Sequence, residues 1–381
     1  MSRPNQRRRY ELKKPELNRA IEELVDQAQQ TYGDLEGADY VRQLLVSALR
    51  MVHDHASSAN LKLLNSAFKE LRHAFRVFEP YEHVRKVAVF GSARTQPGHP
   101  DWDQAHRFAE RIAAEGWMVI TGAGDGIMGA AQGGAGRDAS FGVNIRLPVE
   151  QRANHIIAGD PKLINFRYFF TRKVVFVKEA HAIVLFPGGF GTHDEGFEAL
   201  TLMQTGKSEI LPVVFVDAPG GSYWKDWEHY VRTHLCERSL IARSDLSLFK
   251  ITDDVQAAID ELVSFYQNYH SSRYVGDRLV IRARRAPGPE ALDALNTEFA
   301  DIVTRGRIEV GEALPEEADE VQRYPRVVFH FNRRQVGRLR ELIDRLNALA
   351  PDQPPSHEAS PHQIVAGALT PEAERAEQDD G

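Results

Sequence analysis

The sequence predicts an α/β protein built on a doubly wound parallel sheet, with helices before the sheet and a small α+β appendage after it. Short apolar runs alternate with stretches of helical periodicity between residues 86 and 270. Turns rich in glycine or small residues follow three of these runs. A parallel sheet would bring those turns together, because the carboxyl ends of its strands share one edge.

Six apolar runs are candidate strands, and the stretches between them are candidate helices. The strands are Val87–Phe90, Met118–Thr121, Gly142–Leu147, Ala182–Phe186, Pro212–Val216 and Leu248–Ile251. The helices lie near 102–115, 126–136, 162–179, 192–205, 223–237 and 253–269. This alternation predicts a Rossmann-like sheet whose ligand lies at the carboxyl ends of the strands.

The flanking regions have different patterns, and the chain is divided accordingly. The predicted parts are an N-terminal helical extension (1–80), a Rossmann-like domain (81–272), an appendage (273–349) and an acidic disordered tail (350–381). Within the appendage, Arg278–Arg282 and Arg326–Phe331 are expected strands, and 288–304 and 334–348 are expected amphipathic helices.

Composition excludes several classes of protein. The formal net charge is −7, and most of it lies in the tail, so the nearly neutral remainder argues against a nucleic-acid partner. A single cysteine, Cys236, excludes an intrachain disulfide and a cysteine zinc cluster, and it is typical of a reducing compartment. No apolar run is long enough to span a membrane, and the polar start shows no secretory signal, so we expect a cytoplasmic protein.

The run from Pro187 to Glu195 carries the strongest functional signal. It reads Pro-Gly-Gly-Phe-Gly-Thr-His-Asp-Glu and joins a buried strand to a helix. The N–H groups of such a turn, together with the helix N-terminus, can bind an anion. Phosphate ligands are therefore expected at Gly188, Gly189, Gly191 and Thr192.

Two further turns end the first two strands. Gly91 and Ser92 could meet a phosphate or ribose, or could simply form a tight turn. The second turn, which is predicted to allow close approach of a ligand or only close helix packing, contains Gly122, Gly124, Gly126 and Met128. The first turn is not a G-x-G-x-x-G motif, and the second strand does not end in an acidic residue, which argues against an NAD dehydrogenase.

Charged side chains near these turns supply candidates for chemistry. Arg172 and Lys173 lie in a run of aromatic and β-branched residues, where an unpaired charge would be costly. Arg172 is predicted to point to a substrate anion or base, with a structural ion pair as the alternative. Lys173 is predicted to bind the nucleotide, to form an ion pair or to extend its charge to water. Glu195 could act on the ligand, or it could complete a helix capping box with Thr192 as the N-cap.

With these residues assembled, the chain resembles the LOG ("lonely guy") family of nucleoside monophosphate phosphoribohydrolases, whose members are often labelled lysine decarboxylases. The family pattern P-G-G-x-G-T-x-x-E is intact at Pro187–Glu195, and the family Arg-Lys pair matches Arg172-Lys173. Many members have a Glu where this chain has Gly129, which bears on one ligand contact and on the choice of base.

The resemblance implies hydrolysis of the N-glycosidic bond of a nucleoside 5′-monophosphate, AMP or a related one, to free base and ribose 5-phosphate. It also implies catalytic roles for Glu195 and Arg172, no metal or organic cofactor, and a homodimer or larger homo-oligomer without nucleic-acid or membrane partners. A decarboxylase would need a Schiff-base lysine, and no lysine stands in such a context. The alternatives are a nucleotide or molybdenum-cofactor carrier, or a sensor, on the same fold.

Overall fold

A computed structural model describes residues 10–146, 152–314, 317 and 323–350 of the chain. The tail prediction, the end of the predicted strand at Leu147 and the first nine residues lie outside this described part. The chain divides into two compact units, with the boundary between Lys69 and Glu70. No helix of the described part is both long enough and apolar enough to cross a membrane.

Three helices form the N-terminal part of the chain. They are α1 (Pro15–Tyr32), α2 (Ala38–His53) and α3 (Ser58–Phe78). Pro15 occupies the first turn of α1, where its missing N–H costs nothing, and Gly33 ends that helix at φ +99°. Within the first unit, Arg50 of α2 lies 4.2 Å from the centre of the Tyr10 ring.

The second unit contains a seven-stranded parallel sheet, which confirms the predicted fold class. The strands are β1 (Lys86–Phe90), β2 (Met118–Thr121), β3 (Ser140–Ile145), β4 (Leu163–Phe166), β5 (Ala182–Leu185), β6 (Val213–Val216) and β7 (Lys250–Thr252). They lie in the order β4-β3-β2-β1-β5-β6-β7. The strand order reverses direction between β1 and β5, and a crevice for ligands forms at such a switch point.

Helices cover the sheet between these strands. They are α4 (Pro100–Ala114), α5 (Ile127–Ala135), α6 (Phe169–Glu179), α7 (Phe190–Gln204), α8 (Tyr223–Tyr230) and α9 (Val255–Phe265). Every residue of β1, β2, β3, β5 and β6 is buried. This burial explains their continuous apolar runs, because strands covered on both faces have no exposed side that would favour polar residues.

The predicted helix over 162–179 is wrong in its first part. Leu163–Phe166 is instead β4, which pairs in parallel with β3 and alternates buried and exposed side chains from Ile164 to Phe166. The helix begins only at Phe169. A run of four residues is too short to distinguish the two-residue period of a strand from the helical period that follows it. The pairing of Leu163–Phe166 with β3 makes this run a strand.

A second, antiparallel sheet of four strands follows in the described part of the chain, and only two of its strands were predicted. The strands are β8 (Tyr269–Val275), β9 (Arg278–Ala283), β10 (Glu309–Gly311) and β11 (Arg326–Phe329), in the order β10-β11-β9-β8. Two helices accompany them, α10 (Pro289–Glu298) and α11 (Val336–Ala348). One hydrophobic core includes residues of both sheets. The domain boundaries stay a prediction.

Candidate functional site

A cavity of about 770 Å³ lies at the carboxyl ends of the central strands. Residues from all three predicted turns line it, together with side chains from β3, α6 and α7. The predicted site residues in its wall are Gly91, Ser92, Gly122, Met128, Arg172, Gly188, Gly189, Gly191, Thr192 and Glu195. The structure thus brings together ten of the residues that the sequence proposed.

Close backbone packing joins the turns around this cavity. The N–H of Ser92 donates to the carbonyl of Pro187 at 3.1 Å, and the carbonyl of Ser92 accepts from Ile127 at 3.0 Å. A Cβ on Gly188 would lie 2.1 Å from Thr192 Oγ1, and one on Gly91 would lie 2.6 Å from Ile127 Cγ2. Glycine at positions 91 and 188 therefore allows the turns to approach one another.

The loop before α7 presents unoccupied backbone donors. Gly189 is the N-cap of α7, and no hydrogen bond within the described residues uses the N–H of Gly189, Phe190 or Gly191. The Thr192 N–H donates to the Gly189 carbonyl at 3.0 Å. Three adjacent free N–H groups at a helix N-terminus are suited to bind the oxygens of a phosphate.

The capping-box interpretation of Glu195 is wrong. The helix begins at Phe190, two residues before Thr192, and Gly189 rather than Thr192 is the N-cap. Glu195 therefore lies beyond the first turn, where its carboxylate has no free backbone N–H to accept. The expected helix start at residue 192 was wrong because Phe190 and Gly191 already belong to the first helical turn.

Glu195 instead faces Arg172 in the floor of the cavity. Arg172 Nη2 lies 3.5 Å from Glu195 Oε1, with 13% and 7% of the two side chains exposed. Burial raises the pKa of the Glu195 carboxyl, against the attraction of Lys173 and Arg172. The Nε of Arg172 is buried and has no partner among the described residues. This ion pair leaves donors and an acceptor available to a ligand.

Lys173 does not line the cavity. Its Nζ lies 2.9 Å from Asp194 Oδ2, 2.8 Å from Glu198 Oε2 and 3.9 Å from Glu195 Oε2. It therefore joins α6 to the outer side of α7 and contributes positive charge near Glu195 without reaching the space that a ligand would occupy.

Gly124 and Gly126 also lie outside the cavity wall. The Gly124 carbonyl accepts from Asn154 Nδ2 at 2.8 Å. Gly126 has φ +66°, and a Cβ there would lie 2.2 Å from the Ser92 carbonyl oxygen. Both glycines lie away from the cavity, and Gly126 allows the second turn to pack closely against the first.

The sequence reasoning missed several residues of the wall. Asn144, near the end of β3, is 8% exposed and donates through Nδ2 to Asn165 Oδ1 at 2.9 Å. Its polar side chain close to the carboxyl end of a buried strand was a usable signal. Phe190 is 97% exposed at the start of α7, and Arg94 and His193 also line the cavity. Nothing local in the sequence distinguishes these three from solvent-exposed loop residues.

Comparison with known proteins finds a family model that matches the central segment of the chain. Residues 125–262 match the family model described as "Possible lysine decarboxylase". This segment contains the Arg172-Lys173 pair and the whole Pro187–Glu195 loop, and the match confirms the resemblance stated from the motif. A search of curated proteins gives no match.

Several solved structures match about half of the chain. A molybdenum cofactor carrier protein from Chlamydomonas reinhardtii is 21% identical with a TM-score of 0.34, and the match covers 48% of this chain and 99% of that one. A molybdenum cofactor binding protein from Rippkaea orientalis is 20% identical with a TM-score of 0.32, covering 46% and 94%. A structural genomics target is 21% identical with a TM-score of 0.33, covering 46% and 96%.

Proposed function

Because residues 125–262 belong to the family described as possible lysine decarboxylases, in the branch that the Pro187–Glu195 motif indicates, we propose that the protein is a nucleoside 5′-monophosphate phosphoribohydrolase. It hydrolyses the N-glycosidic bond to give free base and ribose 5-phosphate. AMP or a related nucleotide is the first substrate to test, because the family resemblance implies it.

The free N–H groups at Gly189, Phe190 and Gly191 support binding of the 5′-phosphate. A phosphate held there places its ribose over the same cavity that Glu195 and Arg172 line. In the proposed reaction the bond from C1′ to the base nitrogen breaks and the water oxygen bonds to C1′. One proton of that water finally resides on the base.

Glu195 supplies the negative charge that this reaction needs. Cleavage passes through a ribose with positive charge at C1′, which a nearby carboxylate stabilises. A carboxyl group whose pKa is raised by burial is also a better acceptor for the proton of an attacking water. Arg172 has an unpaired buried Nε and can donate to the departing base or to the ribose hydroxyls.

The observation that carries the proposal is the loosely paired Arg172 and Glu195 in the cavity floor. A carrier that only held a phosphate ligand would need the loop but not this pair. Burying a carboxylate whose charged contacts are as long as 3.5 Å to Arg172 and 3.9 Å to Lys173 is unfavourable for folding, so this arrangement is best explained by chemistry.

Chromatography of the full-length protein with a panel of purine and pyrimidine monophosphates tests the proposal. We expect free base and ribose 5-phosphate in equal amounts without added metal, and much slower cleavage of nucleosides that lack the phosphate.

A matched pair of variants tests the loop. Gly188→Ala places a methyl group 2.1 Å from Thr192 Oγ1, whereas the methyl group of Gly189→Ala meets open space. We therefore expect Gly188→Ala to abolish cleavage and Gly189→Ala to retain it. Binding of monophosphates without release of base would favour the carrier.

We also propose that the protein forms a homodimer. Phe169 and Phe170 on α6 are about half exposed, at 53% and 47%, and Phe190 is almost fully exposed. Aromatic side chains that remain exposed beside a cavity are typical of surfaces that a partner covers. Light scattering coupled to size-exclusion chromatography will measure the molar mass. A monomer at micromolar concentration would contradict this part of the proposal.

A further inference from the structure

Tyr223 is the first residue of α8 and does not line the cavity. It nevertheless contacts the loop from Pro187 to Gly191, which we call the phosphate loop. Its hydroxyl donates to the Gly188 carbonyl oxygen at 2.5 Å. The Nε2 of His193, on α7, lies 2.7 Å from the same hydroxyl oxygen. The helix after β5, α7, and the helix after β6, α8, therefore meet at the carbonyl of Gly188.

Elementary chemistry fixes the direction of both hydrogen bonds. A carbonyl oxygen only accepts, so the single proton of the Tyr223 hydroxyl is directed to Gly188. The hydroxyl oxygen must then accept from His193, which requires the proton of that imidazole to be on Nε2. Burial lowers the pKa of His193, and the ring is therefore neutral at pH 7.

This contact determines where the next N–H points. In a trans peptide the carbonyl of one residue and the N–H of the following residue point in opposite directions. With the Gly188 carbonyl directed at Tyr223, the Gly189 N–H is directed to the other side of the peptide. That N–H is one of the three donors left free at the start of α7.

The two side chains that hold this peptide are themselves held. The His193 ring centre lies 5.9 Å from the Tyr223 ring and 5.5 Å from the Trp224 ring. Trp224 is fully buried, and its backbone N–H donates to Asp217 Oδ2 at 3.0 Å. The hydroxyl of Tyr223 therefore comes from a rigid part of the fold, and glycine alone would not fix the loop in this way.

We propose that Tyr223, oriented by His193, is a positioning residue that presents the Gly189 N–H to the 5′-phosphate and so sets the preference for phosphorylated substrates. This role rests on the proposed function, because it concerns the same phosphate loop. It assigns to α8 a part in substrate selection that neither the motif nor the cavity wall indicates.

The test removes one oxygen atom. In Tyr223→Phe the ring contacts remain and the hydrogen bond to Gly188 is lost. We expect the Kd for ribose 5-phosphate, measured by calorimetry, and the KM for the monophosphate to rise roughly five- to tenfold, as for one lost hydrogen bond. The kcat should change less, and cleavage of the unphosphorylated nucleoside should not change. Tyr230→Phe, on the same helix with 51% exposure, is the matched control and should behave as the wild type.

Hydrogen exchange gives a second readout that needs no ligand. The amides of Thr192 and His193 both donate to the Gly189 carbonyl, at 3.0 and 3.2 Å. If Tyr223 fixes the loop, both amides should exchange faster in Tyr223→Phe than in Tyr230→Phe. Nitrogen NMR of the wild type should find His193 protonated on Nε2.

The outcomes separate the two proposals. A wild-type protein that binds ribose 5-phosphate, with a Tyr223→Phe variant that binds it equally well and exchanges at the same rate, overturns the role of Tyr223 alone. A wild type that neither binds ribose 5-phosphate nor cleaves any monophosphate overturns the proposed function and this role with it. An equal rise in Kd for Tyr230→Phe would show a general loosening of α8 and would also overturn it.

Discussion

Two buried arginine–glutamate groups in this protein have opposite characters. In the cavity, Arg172 and Glu195 meet at a single distance of 3.5 Å, and burial raises the pKa of Glu195. In the antiparallel sheet, Glu317 accepts from Arg282 at 2.7 Å and from Arg326 at 3.0 Å. There burial is outweighed by hydrogen bonds from Arg326, the Leu314 backbone and Arg282, and the pKa of Glu317 falls to about 2.

The two groups differ in how completely the charge of the carboxylate is compensated. Around Glu317, guanidinium groups and one backbone N–H meet both carboxylate oxygens, so the charge is fully compensated. Around Glu195 the compensation is partial, and Arg172 has a buried Nε without a partner in the described part of the chain. A substrate can complete the interactions of Arg172 and Glu195, but it has nothing to add to those of Glu317.

Replacing the cavity carboxylate should give the largest effect on activity. Glu195→Gln keeps the size of the side chain and removes the charge that stabilises the ribose cation in the proposed reaction. We expect turnover to fall about a thousandfold, with little change in melting temperature. Steady-state kinetics and thermal unfolding of one preparation measure both. Turnover within threefold of the wild type would show that Glu195 has no catalytic role.

The corresponding substitution of Glu317 should give the largest effect on stability. Glu317→Gln removes the carboxylate that accepts hydrogen bonds from the buried Arg282 and Arg326, which should cost about 3 kcal/mol of unfolding free energy. At a temperature where the variant is folded, its kcat should equal that of the wild type. Urea unfolding measures the loss of unfolding free energy, and kinetics at that single temperature measure kcat. A variant with normal stability and low kcat would show that Glu317 serves activity rather than folding.

The two carboxyl groups should also respond to pH with opposite signs. The raised pKa of Glu195 means that its contribution favours the folded state at low pH and is lost as the pH rises through the folded-state pKa. The lowered pKa of Glu317 means that its contribution is present above 4.5 and is lost as the pH falls toward 2. Urea unfolding from pH 3 to 8 should show the advantage of the wild type over Glu317→Gln shrinking below 4.5.

The same shift predicts the pH dependence of activity. Because the chemistry needs Glu195 ionised, the acid limb of kcat should have its midpoint above the ordinary value of 4.5. A midpoint at or below that value would mean that the carboxyl group is not buried during turnover.

The smallest effect is expected at Lys173. Its contacts with Asp194 and Glu198 are partly exposed, so Lys173→Met should change stability by less than about 1 kcal/mol. Since Lys173 lowers the pKa of Glu195, its removal should move the acid limb of kcat to higher pH, while the KM stays constant. A large rise in KM would instead show that Lys173 binds the substrate.

The sequence predicted the parallel sheet and the glycine turns at its carboxyl edge because both have local causes. Buried parallel strands require apolar runs, and the close approach of Gly188 to Thr192 and Ser92 requires glycine. Such signals can be read without knowledge of the rest of the chain. They located all three turns of the site, although not the residue at which α7 begins.

The remaining features depend on contacts between distant residues. The pairing of Arg172 with Glu195 joins two helices, and the approach of Tyr223 to Gly188 spans 35 residues. β4 was missed because its partner β3, and not its own composition, makes Leu163–Phe166 a strand. These contacts are set by the packing of whole elements, which residue patterns within one element do not contain.

The close packing of α11 has a consequence for how the protein melts. A Cβ on Gly337 would lie 1.9 Å from the carbonyl oxygen of Ser244, which belongs to a 3-10 helix between β6 and β7. Leu342, Ile343 and Leu346 of α11 belong to the same core as the parallel sheet. A chain cut near residue 274 would leave that core open to water, so the two sheets should unfold in a single calorimetric transition, and proteases should find no stable fragment that ends between them.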